Sequence, residues 1–322
     1  MVNLADLYGH LEADLSYVEQ ELLEQVKAVE PALEEAGTHL LSAGGKRLRP
    51  VFVLLSGHFG SYDVSRLGKV AVALELTHMA TLVHDDVIDH ADTRRGRPTV
   101  KSRFGDQMAM YTGDYIFAKA LSILTDISDP RVHQIFSLAI ERMTVGEIEQ
   151  IRDLYSLDQS VSKYLKRIRR KTALLIQVSC TLGALTAGAP QQSVSALRRF
   201  GYSTGMAFQI IDDVLDFTST EEQLGKPVGS DLRQGNITLP VLYSLGSKEA
   251  GERLRQLVRP DQKEDELEEA IAIVRKSGGV EYAQALAQRY LVKASEALAY
   301  LPATPARTSL AALATFVGKR DH

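Results

Sequence analysis

The sequence predicts an all-α protein, one domain spanning residues 1–322 and built as a bundle of long helices. Apolar residues recur at intervals of three and four from end to end, and alternating β-branched runs bounded by turn signals are almost absent. Glycine and proline fall between long periodic segments rather than inside them. No stretch has the composition of an interdomain linker or a low-complexity segment.

Leu4, Leu7, Leu11, Leu15 and Val18 form the apolar stripe of an opening amphipathic helix whose other face is rich in Glu and Asp. A second helix is predicted over 30–43, where Gly44-Gly45 breaks the pattern, and a long one from Val64 to about His90. Arg94-Arg95-Gly96-Arg97-Pro98 reads as the loop after it. Further helices are predicted at about 104–126, 131–152, 161–187 and 191–217, punctuated by Asp129-Pro130 and Gly188-Ala189-Pro190. A Gly- and Pro-rich loop runs from Leu224 to Pro240, followed by shorter helices.

The composition is 45% hydrophobic, ample for a buried core. A net charge of -4 with a pI near 6.1 argues against a nucleic-acid binder that works by neutralising phosphates. The one cysteine, Cys180, excludes an intrachain disulfide framework and lies among apolar neighbours as a small hydrophobe. The N-terminal residues have neither a basic nor an apolar signal region, so a cytoplasmic protein is expected. Residues 172–189 lack charge, yet Gln177, Ser179 and Thr181 interrupt them, which suits a core helix better than a membrane span.

Two acidic boxes carry the chemistry. Leu82-Val83-His84-Asp85-Asp86-Val87-Ile88-Asp89 returns in altered form as Ile210-Ile211-Asp212-Asp213-Val214-Leu215-Asp216. Residues four apart share a helix face, so Asp85 projects beside Asp89 and Asp212 beside Asp216. Carboxylates crowded into apolar sequence repel one another unless a cation lies between them, and hard oxygen donors favour Mg2+ or Mn2+. A lone box would read as a helix cap or a solvated face. Two boxes inside apolar runs read as metal claws facing one cavity. His84 reads as a supporting histidine, because the metals already have oxygen donors.

Near Gly44-Gly45-Lys46-Arg47-Leu48-Arg49-Pro50, a glycine pair lets backbone N–H groups approach an anion while Lys46 and Arg49 supply charge. Alone this is a solvated basic turn, and it is not a P-loop. With Arg94, Arg95, Lys171 and Lys226 it completes what a diphosphate leaving group requires, namely metal-binding acids beside separated cations. Rossmann, Walker and kinase signatures are absent.

These motifs, with Lys171-Thr172, Phe208-Gln209 and Gly225-Lys226-Pro227, resemble the trans-prenyl diphosphate synthases over nearly the whole chain. Within that family the run Leu74–Arg97, Arg169–Ile176 and the ending Gly318–Asp321 are most similar to the catalytic large subunits of bacterial heptaprenyl diphosphate synthases. The resemblance implies an isoprenoid synthase fold, helices around a central cavity, and sequential condensation of isopentenyl diphosphate onto an allylic diphosphate such as farnesyl diphosphate. It implies three Mg2+ ions, two on Asp85 and Asp89 and the third on Asp212, with Asp86, Asp213 and Asp216 holding metal-bound water or orienting the ligands. Arg94, Lys171 and Lys226 would grip the allylic diphosphate, and Lys46, Arg49, His78 and Arg95 would hold isopentenyl diphosphate without metal. Thr172 and Gln209, with the backbone around Lys171, would face the developing allylic cation. Released diphosphate would serve as the base. Many members carry lysine where this chain has Asn236, so no diphosphate contact is assigned there.

Each helix turn climbs about 5.4 Å away from the first box. Shorter-product relatives place bulky aromatics one turn up, whereas this chain has Ala80 and Thr81, then Thr77, Ala73 and Val70. That small stripe predicts a long product, roughly C30 to C40, with C35 implied by the resemblance, for a menaquinone side chain. The plainer reading is that small residues permit close helix packing. The resemblance further implies a heterodimer with a smaller non-catalytic subunit, or a homodimer, with transient membrane contact for product release. The alternatives are a homodimeric hexaprenyl, octaprenyl or geranylgeranyl diphosphate synthase. From a different class, an HD-type metallophosphohydrolase is prompted by His84-Asp85 with His58 upstream, but it leaves the second box unexplained.

Overall fold

A computed structural model of the chain describes residues 9–94, 96–224 and 227–319. It is all-α, and the only strands among the described residues are the two-residue pair β1 (Thr93–Arg94) and β2 (Arg97–Pro98), antiparallel with Thr93 opposite Pro98. The chain forms two compact units, one of Met1–Phe136, Val178–Leu197 and Leu301–Leu310, the other of Ser137–Gln177, Arg198–Tyr300 and Ala311–His322.

The first unit opens with a 3-10 turn at Gly9–Leu11 and α1 (Glu12–Val26), which buries Leu11, Val18 and Leu22. Leu4 and Leu7 of the predicted stripe lie outside the described residues. Then come α2 (Pro31–Ser42), α3 (Leu48–Gly57) and α4 (Val64–Ile88), the last capped by Asp63, whose carboxylate accepts from the Ser65 N–H. Helix α3 was not expected. Pro50 to Gly57 are all buried, so it shows no polar face, and amphipathic periodicity cannot reveal a helix that is apolar all round. The same holds for the middle of α4, where Val70 to Thr77 are buried without a break.

The helix expected at about 104–126 is α6 (Asp106–Leu124), preceded by an unexpected short α5 (Val100–Phe104), and Gly105, at a φ of 87°, ends one and starts the next. Next are α7 (Pro130–Arg152) and α8 (Val161–Ile168), a π-helical turn over Arg169–Ala173, and α9 (Leu174–Thr186). The single helix expected at 161–187 is therefore broken at Lys171-Thr172, and π-turns of this kind concentrate at functional positions.

Helix α10 (Gln191–Thr218) carries the second box near its C-terminal end, in the part from Arg198 onward that belongs to the second unit. After it come α11 (Glu221–Leu224), α12 (Ser230–Arg233), α13 (Leu239–Ser244), α14 (Lys248–Leu257), α15 (Glu264–Lys276), α16 (Gly279–Leu298) and α17 (Pro305–Gly318). Most are short as expected, but α16 has 20 residues. Phe217, Leu239, Leu254, Val274 and Ala283 are among the core side chains of this unit. Each buried large apolar group contributes roughly 1.5–3 kcal/mol, which holds the second-box end of α10 in place.

Candidate active site

In the first unit, a shallow cleft is lined by Gly44, Arg47, Glu75, His78, Asp86 and Arg94, among others. Asp86 is 2% exposed, whereas Asp85 is half-buried and Asp89 exposed, so the predicted pair Asp85 and Asp89 occupies the wetter face of α4 and Asp86 turns inward. There Asp86 Oδ1 accepts from both Nε and Nη2 of Arg94, each at 2.8 Å. The tight pair of strands returns Arg94 to the helix end, and the Ala91 N–H bonds the Asp86 carbonyl at 2.9 Å. Lys46 and Arg49 flank Arg47 on the basic turn but do not line the cleft. Arg47 holds that turn. At a left-handed φ of 45° it grips Glu19 through two bonds of 2.9 Å and meets the buried Glu75 at 3.3 Å. Burial would lower the Arg47 pKa, but the bonds to Glu19 and the charge of Glu75 raise it overall.

In the second unit, Asp213 is 2% exposed and both of its oxygens accept hydrogen bonds, Oδ2 from the Tyr164 hydroxyl at 2.5 Å and Oδ1 from Gln209 Nε2 at 2.8 Å. Gln209 Oε1 accepts in turn from Thr172 Oγ1 at 2.6 Å. The predicted residues Thr172, Gln209 and Asp213 are thus one connected chain. Lys171 Nζ lies 2.7 Å from Glu147 Oε2. Asp216 is fully buried, and its Oδ2 accepts from the Asp231 N–H at 3.1 Å, which ties the following loop to the box. Gly235, at a φ of 82°, packs against the Tyr155 ring so closely that a Cβ there would meet it at 2.5 Å. The Tyr155 N–H donates to the Gly235 carbonyl and Arg167 Nη2 to the Ile237 carbonyl, each at 2.8 Å, so the loop holding Asn236 is clamped from two sides.

One buried acid in each box, Asp86 in the first and Asp213 in the second, is held above its ordinary protonation range. Burial pushes the Asp86 carboxyl above its usual range, Arg94 opposes the shift, and Asp85 and Asp89 add to it. Burial drives Asp213 well above its usual range, with Asp231 and Asp212 adding repulsion against the hydrogen bonds from Tyr164 and Gln209. Hard carboxylate donors in such a field fit a divalent cation, which would relieve the crowding. Among the described residues no three His, Cys, Asp or Glu side chains form a closed metal-binding group.

Ala73, Thr77 and Ala80 are buried on α4 at 0%, 0% and 2% exposure, and Thr81 is half-buried with its hydroxyl on the His78 carbonyl at 2.8 Å. His84 lies against α6, where Gly113 has no Cβ to obstruct its ring, and its Nε2 lies 3.3 Å from Asp114. Arg95, Gly225 and Lys226 lie outside the described residues. Tyr164, Glu147, Arg167 and the Arg47–Glu75 pair had no predicted role. Glu75 carried a signal, as a lone acid inside the apolar run Val70–Leu76. Tyr164 carried none, because its bond to Asp213 joins positions 49 residues apart.

The sequence profile described as Polyprenyl synthetase matches residues 30–274. The chain is 53% identical to the heptaprenyl diphosphate synthase component 2 of Geobacillus stearothermophilus, covering 100% of both proteins. It is 52% identical to the protein of the same name from Bacillus subtilis, over 97% of this chain and 90% of that one. Its fold superposes on the crystal structure of Staphylococcus aureus heptaprenyl diphosphate synthase with a TM-score of 0.94 at 44% identity, covering 97% of this chain and 99% of the other. A Caulobacter crescentus polyprenyl synthase, solved with calcium and isoprenyl diphosphate, gives 0.94 at 32% identity over 99% and 98%. No described helix is long and apolar enough to cross a membrane. With an isoprenoid synthase fold and a full-length match to such enzymes, this chain belongs to the polyprenyl synthetase family and is a prenyltransferase.

Proposed function

We propose that this protein is a long-chain trans-polyprenyl diphosphate synthase in the cytoplasm, with residues 1–322 acting as one catalytic domain. It condenses isopentenyl diphosphate onto an allylic primer, farnesyl diphosphate, to give a product of about C35 for a menaquinone side chain. The observation that supports this best is the chain of hydrogen bonds from the buried Asp213 through Gln209 to Thr172. It joins an acidic box to oxygen atoms that suit a developing carbocation.

Asp85, Asp89 and Asp212 would hold the three Mg2+ ions proposed, and Asp86, Asp213 and Asp216 would orient metal-bound water or the neighbouring ligands. Mg2+ held there would supply charge neutralisation for the allylic diphosphate leaving group. Arg94, Lys171 and Lys226 bind that diphosphate. Lys46, Arg49, His78 and Arg95 bind isopentenyl diphosphate, whose double bond attacks C1. Thr172 and Gln209 turn oxygen lone pairs toward the positive charge as it develops, and departing diphosphate takes the proton that completes the new double bond. Because the relatives from Bacillus subtilis and Geobacillus stearothermophilus are named as a component 2, the partner proposed is a smaller non-catalytic subunit; a homodimer is the second reading. Transient membrane contact would help release a product this apolar.

The test combines the purified chain with labelled isopentenyl diphosphate, farnesyl diphosphate and Mg2+, with and without the candidate small subunit, and reads product length by mass spectrometry. A C35 diphosphate formed only with the small subunit is the expected result. Full activity of the chain alone would refute the heteromer, and phosphate release without elongation would refute prenyl transfer.

A further inference from the structure

The hydrogen-bonded chain at the second box has a direction. A carboxylate only accepts, so Asp213 decides which end of the Gln209 amide turns toward it. With Gln209 Nε2 donating to Asp213 Oδ1 at 2.8 Å, the amide oxygen must face Thr172, whose single hydroxyl proton is then spent on it at 2.6 Å. What remains on Thr172 Oγ1 is lone pairs. The chain therefore ends in an oxygen that offers electron density and no proton, the polarity a carbocation needs.

Asp213 enforces this polarity only while it is held in place, and the group that holds its other oxygen is Tyr164. The Tyr164 ring is fully buried on α8, with the Arg167 guanidinium 5.8 Å from its centroid, and its hydroxyl meets Asp213 Oδ2 at 2.5 Å. Without that hydroxyl the carboxylate would be free to turn about its Cβ–Cγ bond, and the bond from Gln209 Nε2 to Asp213 would lose its fixed geometry. The amide oxygen, and with it the Thr172 hydroxyl that donates to it, would then wander from the direction the reacting carbon requires.

We propose that Tyr164 is a positioning residue that, acting through Asp213 and Gln209, keeps the lone pairs of Thr172 facing the developing allylic charge. This rests on the prenyl-transfer reading above. Tyr164 itself touches no substrate, so its loss should slow the chemical step and leave binding intact.

Tyr164→Phe keeps the buried ring and removes only the hydroxyl. The expected result is a kcat lower by roughly 10- to 100-fold, less than the roughly 10²–10³-fold cost of deleting a group that itself touches the transition state, because Tyr164 acts through Asp213 and Gln209. Both KM values and the Mg2+ concentration for half-activation should stay within about twofold, as expected for an interaction made only in the transition state. A rise in the Mg2+ requirement that restores kcat at saturation would show that Tyr164 merely braces the acidic box, and would overturn the proposal. The decisive measurement is a cycle with Thr172→Val. In that background Tyr164→Phe should cost nothing further, because the oxygen it orients is gone; losses that multiply would overturn the proposal. Should Tyr164→Phe fail to fold, Gln209→Met breaks the same chain one link nearer to Thr172, and the same cycle applies. A wild-type enzyme that elongates normally, with multiplying losses, defeats only this inference. A wild-type enzyme that makes no prenyl product defeats the underlying reading as well.

Discussion

Replacing Ala80 by Phe asks whether α4 measures the product. Ala80 lies five residues before Asp85, which at about 1.5 Å per residue is about 7.5 Å along the axis. Thr77 and Ala73 follow at about 12 and 18 Å, and the start of α4 at Val64 lies about 32 Å away. An isoprene unit adds four main-chain bonds, about 5 Å at the per-bond reach of an extended chain. The helix thus offers room for about six units beside it, near the length proposed for the product, whereas a ring at position 80 stands about one and a half units from the metals. Ala80→Phe should therefore end elongation far short of C35, read by mass spectrometry at equal isopentenyl diphosphate consumption. Because Ala80 is only 2% exposed, the larger side chain should also overpack the core by about 1–3 kcal/mol, lowering Tm by a few degrees. An unchanged product distribution in a folded, active variant would refute the measuring role and leave close helix packing as the reason for the small residues.

Three further outcomes follow from the geometry. Arg167→Met should destabilise the fold by about 3 kcal/mol in urea unfolding, because it strands the Gln159 and Ile237 oxygens that the guanidinium now satisfies; a change below about 1 kcal/mol would contradict this. His58 is faced by His10, Asp14 and Tyr62, and burial followed by the charge of His10 lowers its pKa. The unfolded chain therefore binds the proton more readily, so this contribution is complete above about pH 6.5 and is lost as pH falls below it. His58→Gln should flatten the acid side of the stability profile, and an unchanged slope would refute the assignment. Burial pushes the Cys180 thiol up to about 12, so it should resist a thiol reagent in the native state and react once the chain unfolds.

Much of the site was legible because it rests on local spacing. Asp85 with Asp89, and Asp212 with Asp216, follow from four-residue helical periodicity, whereas Lys171-Thr172 is implied by the family resemblance and lies on the π-turn. The long α4 and α10 announced themselves by length, whereas α3 was invisible because a helix buried on every side has no polar stripe. Gly105 was passed over because its positive φ, not its identity, divides α5 from α6.

The sequence by itself determined the helical class, the paired carboxylates and the cations a diphosphate needs, since each depends on residues within a few turns of one another. Only the tertiary structure decided that Asp86 of the first box and both Asp213 and Asp216 of the second are buried, that Arg94 closes on Asp86, and that Tyr164 reaches Asp213 across 49 positions of sequence. Those choices come from burial. A carboxylate removed from water must take whatever donor folding brings to it, and periodicity does not say which donor that will be.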